Sequence, residues 1–181
     1  MSESATRVKK MCYIALCTAI LCILGPLSIT IPISPVPIAL AVFGTYISGY
    51  VLGSKWGAIA SVLYILIGAV GIPVFSGFTG GPAKLVGPTG GYLIGYIAIS
   101  FFTGLFVEKF EGKIYMYVVG MVVGLVICYI LGTIWLACVA GMSGTAALMA
   151  GVIPFIPGDI AKIVLAVIVG IPLRTALKKI G

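Results

Sequence analysis

Asp159 and Lys162 stand one helical turn apart in VIPFIPGDIAKIVLAVIVG, a stretch that carries no other charge. An aspartate accepts N–H hydrogen bonds from an amide or a urea, and a lysine offers a mobile positive point to a carboxylate. A charge facing hydrocarbon costs about 2.5–3.5 kcal/mol on insertion scales, so such groups turn toward a bundle interior or an aqueous cavity. Pro157 cannot continue a preceding helix, and the helix dipole favours a carboxylate in the first turn. Two readings stand on these residues alone. One is a grip on a polar ligand; the other is a capping aspartate with a local ion pair to a snorkelling lysine.

The elements that position the pair read as membrane spans. The 181 residues include only 11 basic and 4 acidic side chains and no His, 61% are apolar, and mean hydropathy is +1.28. A soluble domain of this length needs more charge on its surface. Long apolar runs broken by Pro/Gly punctuation predict an all-α membrane protein, a compact bundle of six transmembrane helices near 11–29, 37–52, 56–72, 89–107, 114–137 and 158–175. The first run lacks a clear cleavage site and is read as a span rather than a leader. The second and third are short and meet at the turn Gly53-Ser54-Lys55-Trp56-Gly57. With both termini cytoplasmic, six spans place Arg7, Lys9, Lys10, Lys55, Lys109, Lys113, Arg174, Lys178 and Lys179 inside, and only Lys84 and Lys162 outside. That asymmetry obeys the positive-inside rule and explains the net charge of +7 without nucleic acid.

One integral membrane domain, 1–181, is therefore expected, with 1–10 as a cytoplasmic N-terminal segment and 71–89 as an outer lid loop. That loop, GIPVFSGFTGGPAKLVGPT, is apolar and rich in Gly and Pro. As a free surface loop it would leave Phe75 and Phe78 wet, so it is expected to pack between helix ends or to form a compact re-entrant linker. Thr89 is a possible N-cap for the fourth span, with Gly90 and Gly91 giving backbone access. Two further outer connections are expected at 29–37 and 137–157. Phe75, Phe78, Tyr92, Trp135 and Phe155 would wall a cavity around the charge pair, and Lys84 would meet a ligand carboxylate or face water. Small residues four apart, at Ala15/Ala19, Gly49/Gly53, Gly91/Gly95 and Gly120/Gly124, let helices approach closely, and Ala15/Ala19 is a candidate for contact with another subunit. Cys12, Cys17, Cys22, Cys128 and Cys138 lie in or beside spans with no CxxC spacing, which points to packing rather than metal. A phosphate loop and a nucleophile–base set are both absent from the sequence, which argues against an enzyme. The motifs so far leave a ligand-capturing subunit, a stand-alone carrier and a purely structural subunit all open.

The stretch GIPVFSGFTGGPAKLVGPTGGYLIGY at 71–96, YILGTIWL at 129–136 and PFIPGDIAK at 154–162 resemble, in order, the BioY family. These are the substrate-binding S components of energy-coupling factor (ECF) biotin transporters. The resemblance covers nearly all six spans. It implies a non-enzymatic, multi-pass protein of the prokaryotic plasma membrane, without a cofactor, that captures biotin outside. A transmembrane coupling subunit and two ABC-type ATPase subunits would then drive delivery inward, the ATP being hydrolysed by those partners. Carried onto this chain, Asp159 would bind the ureido end of biotin and Lys162 would help hold the valerate carboxylate. Phe75, Gly91, Tyr92 and Trp135 are pocket residues by motif position, and Ala15-x-x-x-Ala19 resembles the surface that docks the coupling subunit. Phe78 departs from the small residue common in the family at that place.

Overall fold

The structure, a computed structural model, describes the backbone of residues 3–30, 32 and 34–180 and the side chains of 7–30, 32 and 34–177. Seven helices account for most of it: α1 (Glu3–Leu24), α2 (Ala41–Ala69), α3 (Pro82–Val86), α4 (Gly90–Lys109), α5 (Ile114–Ala140), α6 (Gly144–Gly151) and α7 (Ile156–Ile180). Four of them, α2, α4, α5 and α7, are long and apolar enough to cross a membrane. Their outward faces carry large apolar side chains such as Ile130, Ile134, Ile160 and Ile168, each more than half exposed. Their inward faces bury Thr45, Ser48, Ser61, Ser100 and Thr103. In hydrocarbon this reversed pattern is the favourable one: lipid tails accept the outer face, Ser61 and Ser100 hydrogen-bond between α2 and α4, and Thr45 and Ser48 donate to carbonyls of α2 itself.

α2 is two arms. Gly53 lies at φ 83°, ψ −175°, a backbone region open almost only to glycine, and interrupts the helix between 41–52 and 54–69. A Cβ on Gly57 would come within 2.9 Å of Gly49 Cα, so the arms fold sharply back on each other. The turn expected at 53–57 is thus a break at a single residue. Each cut end meets a charged side chain from elsewhere. The Ser54 hydroxyl donates to Glu108 Oε2 at 2.7 Å, placing a carboxylate at the start of the second arm. Arg174 Nη1 donates to the Tyr50 carbonyl at 3.0 Å, placing a cation at the end of the first. Each charge complements the helix terminus it meets.

α4 is the central helix, packed against both α2 and α5. Ser100 Oγ donates to the Thr45 carbonyl at 3.1 Å and shares a 2.6 Å hydrogen bond with Ser61 Oγ. Gly49 faces Ser100 and Thr103, Gly95 faces Cys128, and Gly124 faces Ile99, so these glycines serve internal packing. Ala15 and Ala19 differ: both lie on the exposed face of α1, beside Met11 and Ile23.

Several expected boundaries shift. α1 already runs through residues 3–10, and the chain after it forms a two-stranded antiparallel ribbon, β1 (Ser28–Ile29) with β2 (Ile38–Ala39), in the register Ser28↔Ala39. Ile31 and Ile33 of that connection, and the side chains of Lys178 and Lys179, lie outside the described residues. The 137–157 connection is partly helical: α5 continues to Ala140, and α6 follows with Ser143 Oγ accepting from Ala146 N at 3.3 Å as its cap. Thr89 occupies the N-cap position of α4 without capping, its hydroxyl turned to the Lys84 carbonyl instead.

The two ends of the bundle are chemically distinct. At one end Lys10 and Lys55 lie 5.9 and 5.5 Å from the Trp56 ring, near the Ser54–Glu108 contact. Arg174 belongs to the same end through Tyr50. Asp159 sits 15 residues earlier on α7, about 22 Å away at 1.5 Å per residue. Lys10, Lys55 and Arg174, three of the basic residues grouped by the topology argument, therefore gather at one end, and the Asp159–Lys162 pair lies near the other.

Candidate functional site

α7 enters through Pro154 and Pro157, and Asp159 N donates to the Phe155 carbonyl at 2.9 Å, so Asp159 already lies within the first turn. Its carboxylate does not cap. Oδ1 accepts from Lys162 Nζ at 2.8 Å, and Oδ2 accepts from the Tyr129 hydroxyl on α5 at 2.5 Å. Asp159 is 3% exposed and Lys162 6%. The local ion pair foreseen as one reading is present, and it is buried. A buried pair returns its desolvation cost only when further hydrogen bonds satisfy it, and Tyr129 supplies one of them.

The pair borders a cavity of about 30 Å³ whose wall includes Tyr92 and Tyr96 from α4, Cys128 and Tyr129 from α5, and Phe155. Val36, Pro37 and Ala39, from the ribbon connection, cover it. That volume is enough to admit a water but falls far short of the roughly 300 Å³ and more of a small-molecule pocket. The arrangement provides a carboxylate acceptor, an ammonium donor and a phenol in an aromatic box. It offers no nucleophile activated by a base, and among the described residues there is no His/Cys/Asp/Glu cluster fit for a metal.

Of the residues singled out in the sequence, Asp159, Lys162, Tyr92 and Phe155 border this cavity. Phe75, Lys84, Gly91 and Trp135 do not. Phe75 is fully buried, edge-on to Tyr64 at 5.6 Å and pressed on Gly68. Phe78, expected to wall the cavity, is instead 68% exposed with φ 57°, in the turn between the bridged residues Phe75 and Thr79. Trp135 Nε1 donates to the Gly87 carbonyl at 3.0 Å and so fastens the 71–89 loop to α5. Gly91 lets α4 close on α5, since a Cβ there would lie 2.4 Å from Trp135 Cβ. Lys84 is half-buried in α3. The loop is further held by Gly77 N to the Pro26 carbonyl at 3.1 Å and by Gly81 N to the Gly68 carbonyl at 2.7 Å. Tyr92 donates to the Gly151 carbonyl at 2.9 Å, tying the end of α6 to the cavity wall.

Tyr129, Tyr96 and the 36–39 cover escaped the sequence reading. A signal for Tyr129 existed. Gly120, Gly124, Cys128 and Gly132 recur every fourth residue on α5 and mark its inward face, and Tyr129 adjoins that stripe.

Residues 1–179 match the family model described as the BioY family. The chain is 43% identical over 146 residues to "Biotin transporter BioY" of Thermotoga maritima, covering 81% of this chain and 85% of that protein. It is 39% identical over 163 residues to "Probable biotin transporter BioY" of Pyrococcus horikoshii, covering 90% and 94%. A solved structure described as the S-component for biotin from an ECF-type ABC transporter superposes with a TM-score of 0.89 at 32% identity, over 97% of this chain and 95% of the other. By sequence along nearly its whole length and by fold, the chain belongs to the BioY family.

Proposed function

We propose that this chain is the biotin-capturing S component of an ECF importer in a prokaryotic cell membrane, with six spans and both termini cytoplasmic. The buried Asp159–Lys162 pair with Tyr129, in an aromatic cavity at the end opposite the basic residues, carries the reading. It is supported by the names of the relatives and of the structural neighbour. Counting the arms of α2 separately and adding α1, six helical segments run between the two ends. The side rich in Lys and Arg would face the cytoplasm.

The 2.8 Å contact argues against dividing the pair between the two ends of the ligand. A fused ring system and a valeryl chain separate the urea of biotin from its carboxylate, whereas both head groups here meet at one point. A urea satisfies both together: its N–H groups donate to Asp159, its carbonyl accepts from Lys162, and Tyr92, Tyr96 and Phe155 pack on the rings. The carboxylate then falls to Lys84, the remaining outer cation, carried by the 71–89 lid. Entry requires the 36–39 cover to lift, and closure of both loops excludes water from the polar contacts.

The test is calorimetric binding of biotin and biotin methyl ester to wild type, Lys84→Ala and Lys162→Ala. The methyl ester should bind wild type about tenfold more weakly than biotin, as expected for one charge-assisted hydrogen bond of about 1.5–3 kcal/mol. In Lys84→Ala that difference should vanish, while in Lys162→Ala it should persist with both ligands weakened. A difference that vanishes in Lys162→Ala instead would assign the carboxylate to Lys162. Failure of wild type to bind biotin at all would remove the function.

The exposed Ala15/Ala19 face of α1 would dock the transmembrane coupling subunit, driven by two ABC-type ATPases. Ala15→Leu with Ala19→Leu should leave biotin affinity within about twofold and abolish uptake in cells carrying the complete transporter. Full uptake by the double variant, or by the chain alone in vesicles, would point to a stand-alone carrier.

A further inference from the structure

The basic end of the bundle holds a second cavity, far from the Asp159 pair and about 290 Å³ in volume, walled by Tyr50, Glu111, Gly112, Ile114, Tyr117 and Arg174 among others. We propose that it binds the headgroup of a membrane phospholipid, gripping one phosphodiester and one O–H or N–H donor of the group beyond it. Arg174 directs Nη1 to the Tyr50 carbonyl, and among the described residues the rest of its guanidinium has no hydrogen-bond partner. A planar fork with spare N–H groups matches a phosphate oxygen pair. Tyr50, part of the same wall, has a buried hydroxyl that also lacks a partner among the described residues. The ring of Tyr50 is fixed edge-on to Tyr117 at 5.4 Å, and the Tyr117 hydroxyl accepts from Gly112 N at 2.6 Å. The cavity is therefore built on fixed groups.

Depth favours a lipid. Tyr115 (60% exposed) and Ile114 (49%) project beside the mouth, at the start of α5, and Lys109 and Lys113 flank it. An exposed tyrosine among lysines at the end of a span marks headgroup level. The carboxylate of Glu111 sets the specificity. Lining the same cavity as Arg174, it disfavours a phosphate dianion and suits a singly charged phosphodiester. A carboxylate accepts several donors, so Glu111 adds a bond to a glycerol hydroxyl or an ethanolamine ammonium, whereas choline offers no donor.

The test counts lipid adducts by native mass spectrometry on protein from micelles doped equally with phosphatidylglycerol, phosphatidylethanolamine and phosphatidylcholine. Wild type should retain the first two about tenfold more than the third. Arg174→Gln keeps an N–H donor for the Tyr50 carbonyl and should lose most adducts of every kind. Glu111→Ala should retain adducts but lose the preference over choline. Equal retention of the three lipids by wild type, or undiminished adducts in Arg174→Gln, would overturn the proposal. Displacement of the adducts by millimolar inorganic phosphate would make this a free-anion site and overturn the lipid assignment.

Discussion

Asp159→Asn is expected to weaken biotin binding by about 10- to 100-fold, the larger of the effects anticipated for single substitutions in the site. An asparagine retains one carbonyl acceptor, but it loses the charge and the second acceptor oxygen. A hydrogen bond to a charged group contributes about 1.5–3 kcal/mol, and each 1.4 kcal/mol is tenfold in affinity. The same substitution leaves the Lys162 ammonium, 6% exposed, without its 2.8 Å counter-charge. Breaking one side of a buried pair costs about 3–5 kcal/mol of stability, so loss of binding could come from loss of fold. The double variant Asp159→Asn with Lys162→Met separates the causes. Methionine fills the volume of the lysine stem with no charge to desolvate, and the asparagine carbonyl still accepts from Tyr129. Replacing a buried pair by neutral groups is often neutral or stabilising. Thermal unfolding in detergent should therefore return to within a few degrees of wild type in the double variant, while calorimetry finds biotin binding still weakened by at least as much as in Asp159→Asn. Recovery of binding along with stability would reduce the pair to a structural ion pair, the alternative that the sequence left open.

What the sequence revealed about this site follows from how the residues signal. Charges inside an apolar run are conspicuous, and Asp159 and Lys162 were legible for that reason. The break in α2 was legible because Gly53 and Gly57 punctuate two apolar runs. Tyr129 and Tyr96 were harder. They lie on helices that are apolar all round, so hydrophobic periodicity does not tell the inward face from the lipid face. Only the small residues, Gly91 and Gly95 on α4 and the stripe from Gly120 to Gly132 on α5, carry that information. The cover at 36–39 was illegible for another reason. A proline-stiffened connection can fold over a cavity or away from it, and tertiary contact decides. The motif positions Gly91 and Trp135 were read as pocket residues; the structure makes them supports of the lid and of the α4–α5 contact. α6 was missed because glycines at 141, 144 and 151 read as loop punctuation, although Ser143 supplied a usable cap.

Gly91 gives the second large expectation, and its sign is the instructive part. In an ordinary helix, replacing glycine by alanine stabilises by about 0.5–1 kcal/mol, because the unfolded chain loses freedom. Here the new Cβ would sit 2.4 Å from Trp135 Cβ and 2.7 Å from the Leu131 carbonyl oxygen. Ordinary contact needs well over 3 Å, and one of the two obstacles is backbone, which no rotamer change removes. Overpacking costs about 1–3 kcal/mol and exceeds the propensity gain. The relief available is to push the start of α4 away from α5. That motion pulls Tyr92 off the Gly151 carbonyl and loosens Trp135 from Gly87, so it opens the cavity wall and frees the lid together. Gly91→Ala is accordingly expected to lower thermal stability and to weaken biotin binding at least tenfold, although residue 91 lines no part of the cavity. Gly144→Ala is the matched control, since nothing lies within 4 Å of the Cβ it would add in α6. It should be neutral or slightly stabilising and leave binding unchanged. If Gly91→Ala behaves like Gly144→Ala in both measurements, close approach of α4 to α5 does not set the cavity wall. A loss at Gly91 alone would tie ligand affinity to the spacing of two helices rather than to any contact the glycine makes.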